Sequence, residues 1–266
     1  MGTLCDAATA LASIHEGMSV GIGGMTLYRR PFALVRELLR RGTKDLTLIG
    51  LTLGLESDVL VGAGRVRRVR TCYFGLESFG LAPMFTLKAG TGEIEIVEET
   101  ELSLAAGMRA ALATVGFHPV RGILGSELPR VRPDWKTTRC PYTGEDLLAI
   151  PALRPDAVLL HAQSSDARGN AVLTGNLGLD REMAALAEVT IVSAEEIVAT
   201  EELPEGGCSL TGLDVTHVVH APRGARPGTC YPHYGLDPMA FLDYYRAVYE
   251  KDFEGYLRAV VDGKGW

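Results

Sequence analysis

The sequence predicts an α/β fold, an open and mainly parallel sheet with helices on both faces. Three observations predict it. Apolar strand-like runs alternate with helical periodicity from end to end. The 266 residues are 47% hydrophobic and 22% charged, an ordinary globular composition with enough chain to bury a large core. No internal repeat or low-complexity tract interrupts the alternation, so we expect one domain spanning 1–266.

The elements follow in order. Residues 3–16 read as a helix and 18–24 as a short strand ending in glycines. Residues 31–41 are amphipathic, with Pro31 placed to open a helix. Strands are expected over 45–51, over 68–74 after a basic stretch, and over 93–97. An alanine-rich helix follows over 102–115. Residues 125–148 carry proline, glycine and charge without periodicity and read as a surface excursion. Later strands are expected over 156–162, 189–192 and 215–219, and a long helical region over 239–261.

Composition also narrows function. A net charge of −7 argues against nucleic acid as partner, because phosphate binding leaves a basic footprint. No apolar run approaches the ~20 residues of a membrane helix, and the N-terminus has neither a signal-peptide pattern nor the Ser or Thr that myristoylation wants at Asp6. Cys5, Cys72, Cys140, Cys208 and Cys230 are scattered and odd in number, so reduced cytosolic thiols and a cytoplasmic location are expected. His217 and His220 lie three apart on an expected strand, facing opposite sides, so no metal site is expected. The first glycine turn has Thr26 where a dinucleotide fingerprint wants glycine, and there is no Walker lysine or nucleophile elbow.

Three segments remain. The first runs Gly21-Ile22-Gly23-Gly24-Met25-Thr26-Leu27-Tyr28-Arg29-Arg30-Pro31, glycines between a strand and a helix with two cations beside them. Free backbone N–H groups at Gly23 and Gly24, with Arg29 and Arg30, suit an anion or oxyanion; a tight turn with solvated arginines is the alternative. The second, Glu98-Glu99-Thr100-Glu101, follows a strand and opens a helix. It reads either as macrodipole complement or as a carboxylate at the carboxyl end of a strand, where open α/β sheets bind ligands. The third, His161 to Asn170, clusters polar groups including Gln163 and Ser164. An Asx/Gly turn accounts for Asp166 onwards but less well for Gln163 and the serines.

These segments resemble the alpha subunit of class I CoA-transferases of the glutaconate kind. The match rests on the GG turn followed by Arg-Pro, on His161-Ala162-Gln163, on Ser193-Ala194-Glu195-Glu196-Ile197, and on Ala221-Pro222-Arg223-Gly224-Ala225-Arg226-Pro227 ahead of Cys230-Tyr231; Met25 stands where the family has phenylalanine. The resemblance implies a beta subunit of the same fold, a CoA thioester and a carboxylate as substrates, and no bound cofactor. In such transferases the nucleophile is a glutamate of a Ser-Glu-Asn-Gly motif on the beta subunit. That motif does not occur here, so this chain is expected to line the pocket rather than catalyse transfer alone.

The chain is also similar to the alpha subunit of a relative that opens a steroid-derived ring on CoA by hydrolysis, with its active glutamate after the strand over 93–97. That resemblance makes Glu101 the candidate catalytic carboxylate, with Glu98 and Glu99 as alternatives, and would make the stretch 74–85 a cover over apolar substrate. A non-catalytic acyl-CoA-binding subunit is the third reading.

Overall fold

The chain order is β1 (Thr3–Leu4), α1 (Ala7–Ala10), β2 (Ser19–Ile22), α2 (Phe32–Arg41), β3 (Leu46–Leu53), α3 (Leu55–Gly62), β4 (Val66–Phe74), α4 (Pro83–Thr91), β5 (Glu95–Glu98), α5 (Glu101–Leu112), β6 (Phe117–Val120), α6 (Leu128–Val131), β7 (Lys136–Arg139), β8 (Asp146–Pro151), β9 (Ala157–Ser165), β10 (Ala171–Val172), α7 (Asp180–Leu186), β11 (Val189–Ile197), β12 (His217–His220), α8 (Pro238–Tyr249) and α9 (Phe253–Val261). This is a computed structural model, describing residues 2–204 and 207–266.

The main sheet runs β1-β12-β11-β9-β2-β3-β4-β5, every pair on that path parallel, with β10 antiparallel to β9. The central strands read as continuous apolar runs, as strands covered on both faces must. One face packs Leu34, Leu38, Val59, Leu159, Phe241 and their neighbours under α2, α3, α8 and α9. The other packs Val158, Leu160, Leu104, Met108 and Met183 under α5 and α7. Helices on both faces of a parallel sheet are what the alternation predicted.

The differences from the sequence reading have physical causes. Residues 3–16 do not form one helix: Thr3 and Leu4 pair with His217 and Val218, and Asp6 then caps a short helix through the Thr9 N–H at 2.7 Å. Pro31 is the residue before α2, which closes on Gly42 in the left-handed conformation. The excursion over 125–148 is more than a surface crossing, because β6, β8 and β7 pair there as an antiparallel sheet over Val120, Ile123, Trp135, Leu148 and Ile150. The C-terminal helical region is two helices, broken where Lys251 takes a positive φ. β9 and β11 extend past their expected ends, so His161 to Ser165 lie on a strand, not beyond one. All five cysteines are free.

Candidate active site

β2 leads to β3 on one side and β9 to β11 on the other, so the strand order reverses between the parallel neighbours β2 and β9. Open α/β sheets place ligands at the carboxyl ends flanking such a point. The glycine turn leaves β2 there. A side chain at Gly23 would put its Cβ 2.0 Å from a Leu160 methyl and 2.7 Å from an Asp180 oxygen, so only glycine fits. Gly24 has φ +82, the left-handed region glycine tolerates.

The turn does not offer the N–H groups expected of it. Gly23 donates to the Leu159 carbonyl at 3.0 Å, and Gly24 donates to Asp180 Oδ1 at 2.9 Å. The arginines are likewise committed to structure, not solvated or facing a ligand. Arg29 is fully buried and reaches Asp180 at 2.9 Å, the Thr174 carbonyl at 2.9 Å and the Asn176 carbonyl at 2.8 Å. Arg30 is also buried, holding Glu56 and the carbonyls of Gly24 at 3.0 Å and Thr52 at 2.9 Å. A helix-flanking cation reads from sequence as solvent-facing. Here Asp180 and Glu56, distant in sequence, make burial tolerable by pairing. Burial pushes the Asp180 carboxyl up against the pull of Arg29.

Gln163 and Ser164 do not share a face. Strand alternation turns Gln163 to the side of His161 and Ser164 to the side of Ala162. Gln163 is buried. It donates to the Tyr231 carbonyl at 3.0 Å and the Tyr28 hydroxyl at 3.2 Å, and accepts from the Thr174 N–H at 3.1 Å. Tyr28 in turn donates to the Tyr231 carbonyl at 2.9 Å. Gln163 thus ties the glycine turn to the segment around Tyr231. Asp166 closes the turn beyond β9 as the plain Asx reading has it. It accepts from the N–H groups of Arg168 and Asn170, from the Asn170 amide and from Thr200. Burial opposes its ionisation, but these donors hold the carboxyl below its usual range.

Beneath this edge lies a network that sequence reasoning missed as a unit. His161 Nε2 stands 2.7 Å from Glu195 Oε1, and His161 Nδ1 stands 2.8 Å from Ser193 Oγ. Glu195 also accepts from the Tyr234 hydroxyl and the Arg223 N–H. Burial keeps the fully enclosed His161 below its usual pKa, hence neutral. Burial also works against the Glu195 carboxylate, but its donors win and hold it below its usual range. One signal existed in the sequence: His161, Ser193 and Glu195 all fall in the family-like motifs. Their convergence needs the β9–β11 register, which pairs His161 with Ser193. His161, Glu195 and Cys230 also place one possible metal-ligand atom each within 4.8 Å of one another. Without an ion, burial pushes the Cys230 thiol up to about 12.

The acidic segment sorts clearly. Glu99 is buried, joined to Arg70 and Arg132 and accepting from Ser103; it is a structural carboxylate. Glu98 and Glu101 are exposed. Glu101 opens α5, where Thr100 and Ser103 form a reciprocal cap. Its negative charge, after the larger effect of burial, pushes the nearby Cys72 thiol up to about 11. Cys72 in turn donates to the Leu51 carbonyl at 2.9 Å. Glu101 therefore stands on the carboxyl edge of the sheet. Four strand steps at about 4.8 Å place β5 roughly 19 Å from the β9 strand that carries Gln163. One small group cannot touch both, whereas an extended ligand along the edge can. The stretch 74–85 packs on itself and on α8: Phe74 stacks on Phe85 at 4.2 Å and Phe79 on Phe241 at 4.6 Å. Its aromatics are spent on packing. His233 lies 3.8 Å from Glu196 on a partly exposed turn, and Cys140 lies in the loop after β7.

The strand order reverses beside a glycine turn that Tyr28 and Gln163 tie to the segment around Tyr231, next to a buried His161–Glu195 pair, and this defines an open α/β protein with a candidate site at its switch point. The coenzyme A transferase family model matches residues 5–221, and the chain belongs to that family. It is 33% identical to the A chain of the 3-oxoadipate CoA-transferase of Pseudomonas knackmussii, over 94% of this chain and 95% of that one. It is 39% identical to the cholesterol ring-cleaving hydrolase IpdA subunit of Rhodococcus jostii, over 86% of this chain and 81% of that one. Among solved structures, the glutaconate coenzyme A-transferase of Acidaminococcus fermentans superposes with a TM-score of 0.90 at 30% identity, covering 98% of this chain and 89% of that one.

Proposed function

We propose that the chain is the alpha subunit of a heteromeric CoA-transferase, working with a beta subunit of the same fold on an acyl-CoA and a carboxylate. The observation that carries the reading is how its polar groups are used. Arg29, Arg30, Gln163 and the N–H groups of Gly23 and Gly24 are committed to Asp180, Glu56, Tyr28 or backbone carbonyls. The Ser193–His161 contact is sealed from solvent, both residues being fully buried. The chain supplies a rigid, shaped edge and leaves the nucleophile to its partner. We read it as one domain; in support, α5 contributes Leu104 and Met108 to the core on one face of the main sheet and Ala106 to the core of the small sheet. Among the described residues no helix is long and apolar enough to cross a membrane.

A second reading has its own observation. Glu101 is exposed at the carboxyl edge, free of the pairing that claims Glu99. In this reading it acts as a general base in hydrolysis or ring opening of a CoA thioester. Glu101→Gln in the reconstituted heteromer separates the two. The transferase reading expects activity within a few-fold of wild type; loss of activity in a folded variant overturns it in favour of the second.

A further inference from the structure

A cleft opens beyond the carboxyl ends of β1 and β12. It holds about 910 Å³ between the start of α2, the loop 221–227 and the segment 261–266. That volume falls in the range of small-molecule sites. Its lining joins two chemistries. On one side stand Arg36, Arg40, Arg223, Arg226 and Lys264; on another, Phe32 and Trp266 meet edge to face at 4.8 Å.

Charge pairing decides which cations are free. Arg40 is held by Glu37 and Arg226 by Asp237 at 3.3 Å. Asp6 is used in capping α1. Among the described residues Arg36, Arg223 and Lys264 have no ion-pair partner, and of the lining carboxylates Asp262 alone is uncommitted. The Nε of Arg226 is buried with no hydrogen-bond partner. The loop that presents Arg223 and Arg226 is held in place: the Arg223 N–H donates to Glu195, and Arg226 lies over the Tyr234 ring at 5.5 Å. The indole of Trp266 is fixed by its bond to the Tyr256 hydroxyl at 2.9 Å. The α2 N-terminus adds little, because the Ala33 N–H is taken by the Gly224 carbonyl at 2.9 Å. The attraction rests on side chains.

We propose that this cleft binds a nucleoside phosphate, its phosphates on Arg36, Arg223 and Lys264 and its flat, weakly polar base on the partly exposed Trp266 indole, which the buried Phe32 supports edge to face. Guanidinium groups suit phosphate oxygens, and an aromatic wall suits a base. The phosphates can belong to a free nucleotide or to the nucleotide end of a CoA molecule. The CoA outcome rests on the proposed function; the free-nucleotide outcome does not.

The test is calorimetric titration of the heteromer with ADP, pyrophosphate, CoA and pantetheine, the last lacking phosphate. ADP is expected to bind, pantetheine not to compete with it, and pyrophosphate to bind at least tenfold more weakly than ADP. Arg36→Gln with Lys264→Gln should weaken ADP at least tenfold at an unchanged unfolding midpoint, and raised salt should weaken the wild type more than the variant. Displacement of ADP by CoA assigns the site to the nucleotide end of CoA; no displacement assigns it to a free nucleotide. Absence of ADP binding at millimolar concentration overturns the proposal. So does unaltered ADP affinity in the variant, or pyrophosphate binding as tightly as ADP.

Discussion

His161 and Glu195, on the adjacent parallel strands β9 and β11, face each other at 2.7 Å in the interior, directly under the loop that carries Arg223 and Tyr234. The pair sets that loop against the sheet. The loop in turn meets the glycine turn through main-chain bonds, Arg29 N–H to the Thr229 carbonyl and Thr229 N–H to the Leu27 carbonyl, both at 2.8 Å. A buried neutral imidazole and a buried carboxylate thus support this edge from beneath.

Acid should loosen this arrangement. Both folded-state pKa values lie below their ordinary values, so the unfolded chain takes up protons first on acidification. The stabilisation is complete above about 6.5 for His161 and about 4.5 for Glu195, and is lost as pH falls below those values. Glu195→Gln should cost about 1–3 kcal/mol at pH 7.5 by weakening the acceptor of three donors. Urea unfolding of wild type and variant across pH 4–8 checks it; equal stabilities throughout would contradict it.

Asp58 should act in the opposite sense. Burial pushes its carboxyl up to about 6 although Tyr244, Phe85 and Met84 donate to it. A folded pKa above the unfolded 3.8 means stability present at low pH and lost as pH rises through 6. A shift of this size corresponds to roughly 3 kcal/mol. Asp58→Asn removes that pH dependence, so its stability relative to wild type should improve between pH 4 and pH 7. A constant difference over that range would refute the assignment.

The Arg29–Asp180 pair is fully enclosed. Removing one partner should cost about 3–5 kcal/mol, because it leaves the other charge buried and unpaired. Asp180→Ala and Arg29→Met are each expected to lower the denaturation midpoint sharply, and the double variant less than their sum. Additive or sub-kilocalorie effects would show that the pair does not hold the turn.

Gly23→Ala should be among the most damaging single methyl additions in the chain. Its Cβ would stand 2.0 Å from Leu160 and 2.7 Å from Asp180. Overpacking of this kind typically costs about 1–3 kcal/mol, and here it also strains the Gly24–Asp180 bond. By contrast, Gly90→Ala meets open space inside α4 and should be neutral or slightly stabilising. Thermal melts of both distinguish steric closure at the turn from a general intolerance of alanine.

The alternation of strands and helices was legible because the central strands carry apolar runs, such as Ala157–Leu160 in β9 and Ile191–Val192 in β11, and helices such as α2 carry a periodic face. What escaped was set by contacts distant in sequence. Thr3 and Leu4 are strand because β12 is beside them. The segment 125–148 folds because Leu148 and Ile150 meet Val120 and Trp135 across a small sheet. At the candidate site, the glycine turn and the carboxylates stand out in the sequence, but what they bond depends on partners distant in sequence. Arg29 and Arg30 read as ligand cations until Asp180 and Glu56 are placed beside them. Gln163 and Ser164 read as one cluster until strand alternation separates them. Glu99 and Glu101 look equivalent until Arg70 and Arg132 claim the first.

The central claim is that this chain shapes the pocket while a partner subunit carries the nucleophile. Incubating the co-purified heteromer with a panel of acyl-CoA thioesters, reducing with borohydride and weighing each intact chain tests it most directly. The account predicts a trapped mass change on the partner and none on this chain. Turnover with neither chain modified, abolished by Glu101→Gln, would contradict it and assign the chemistry to Glu101.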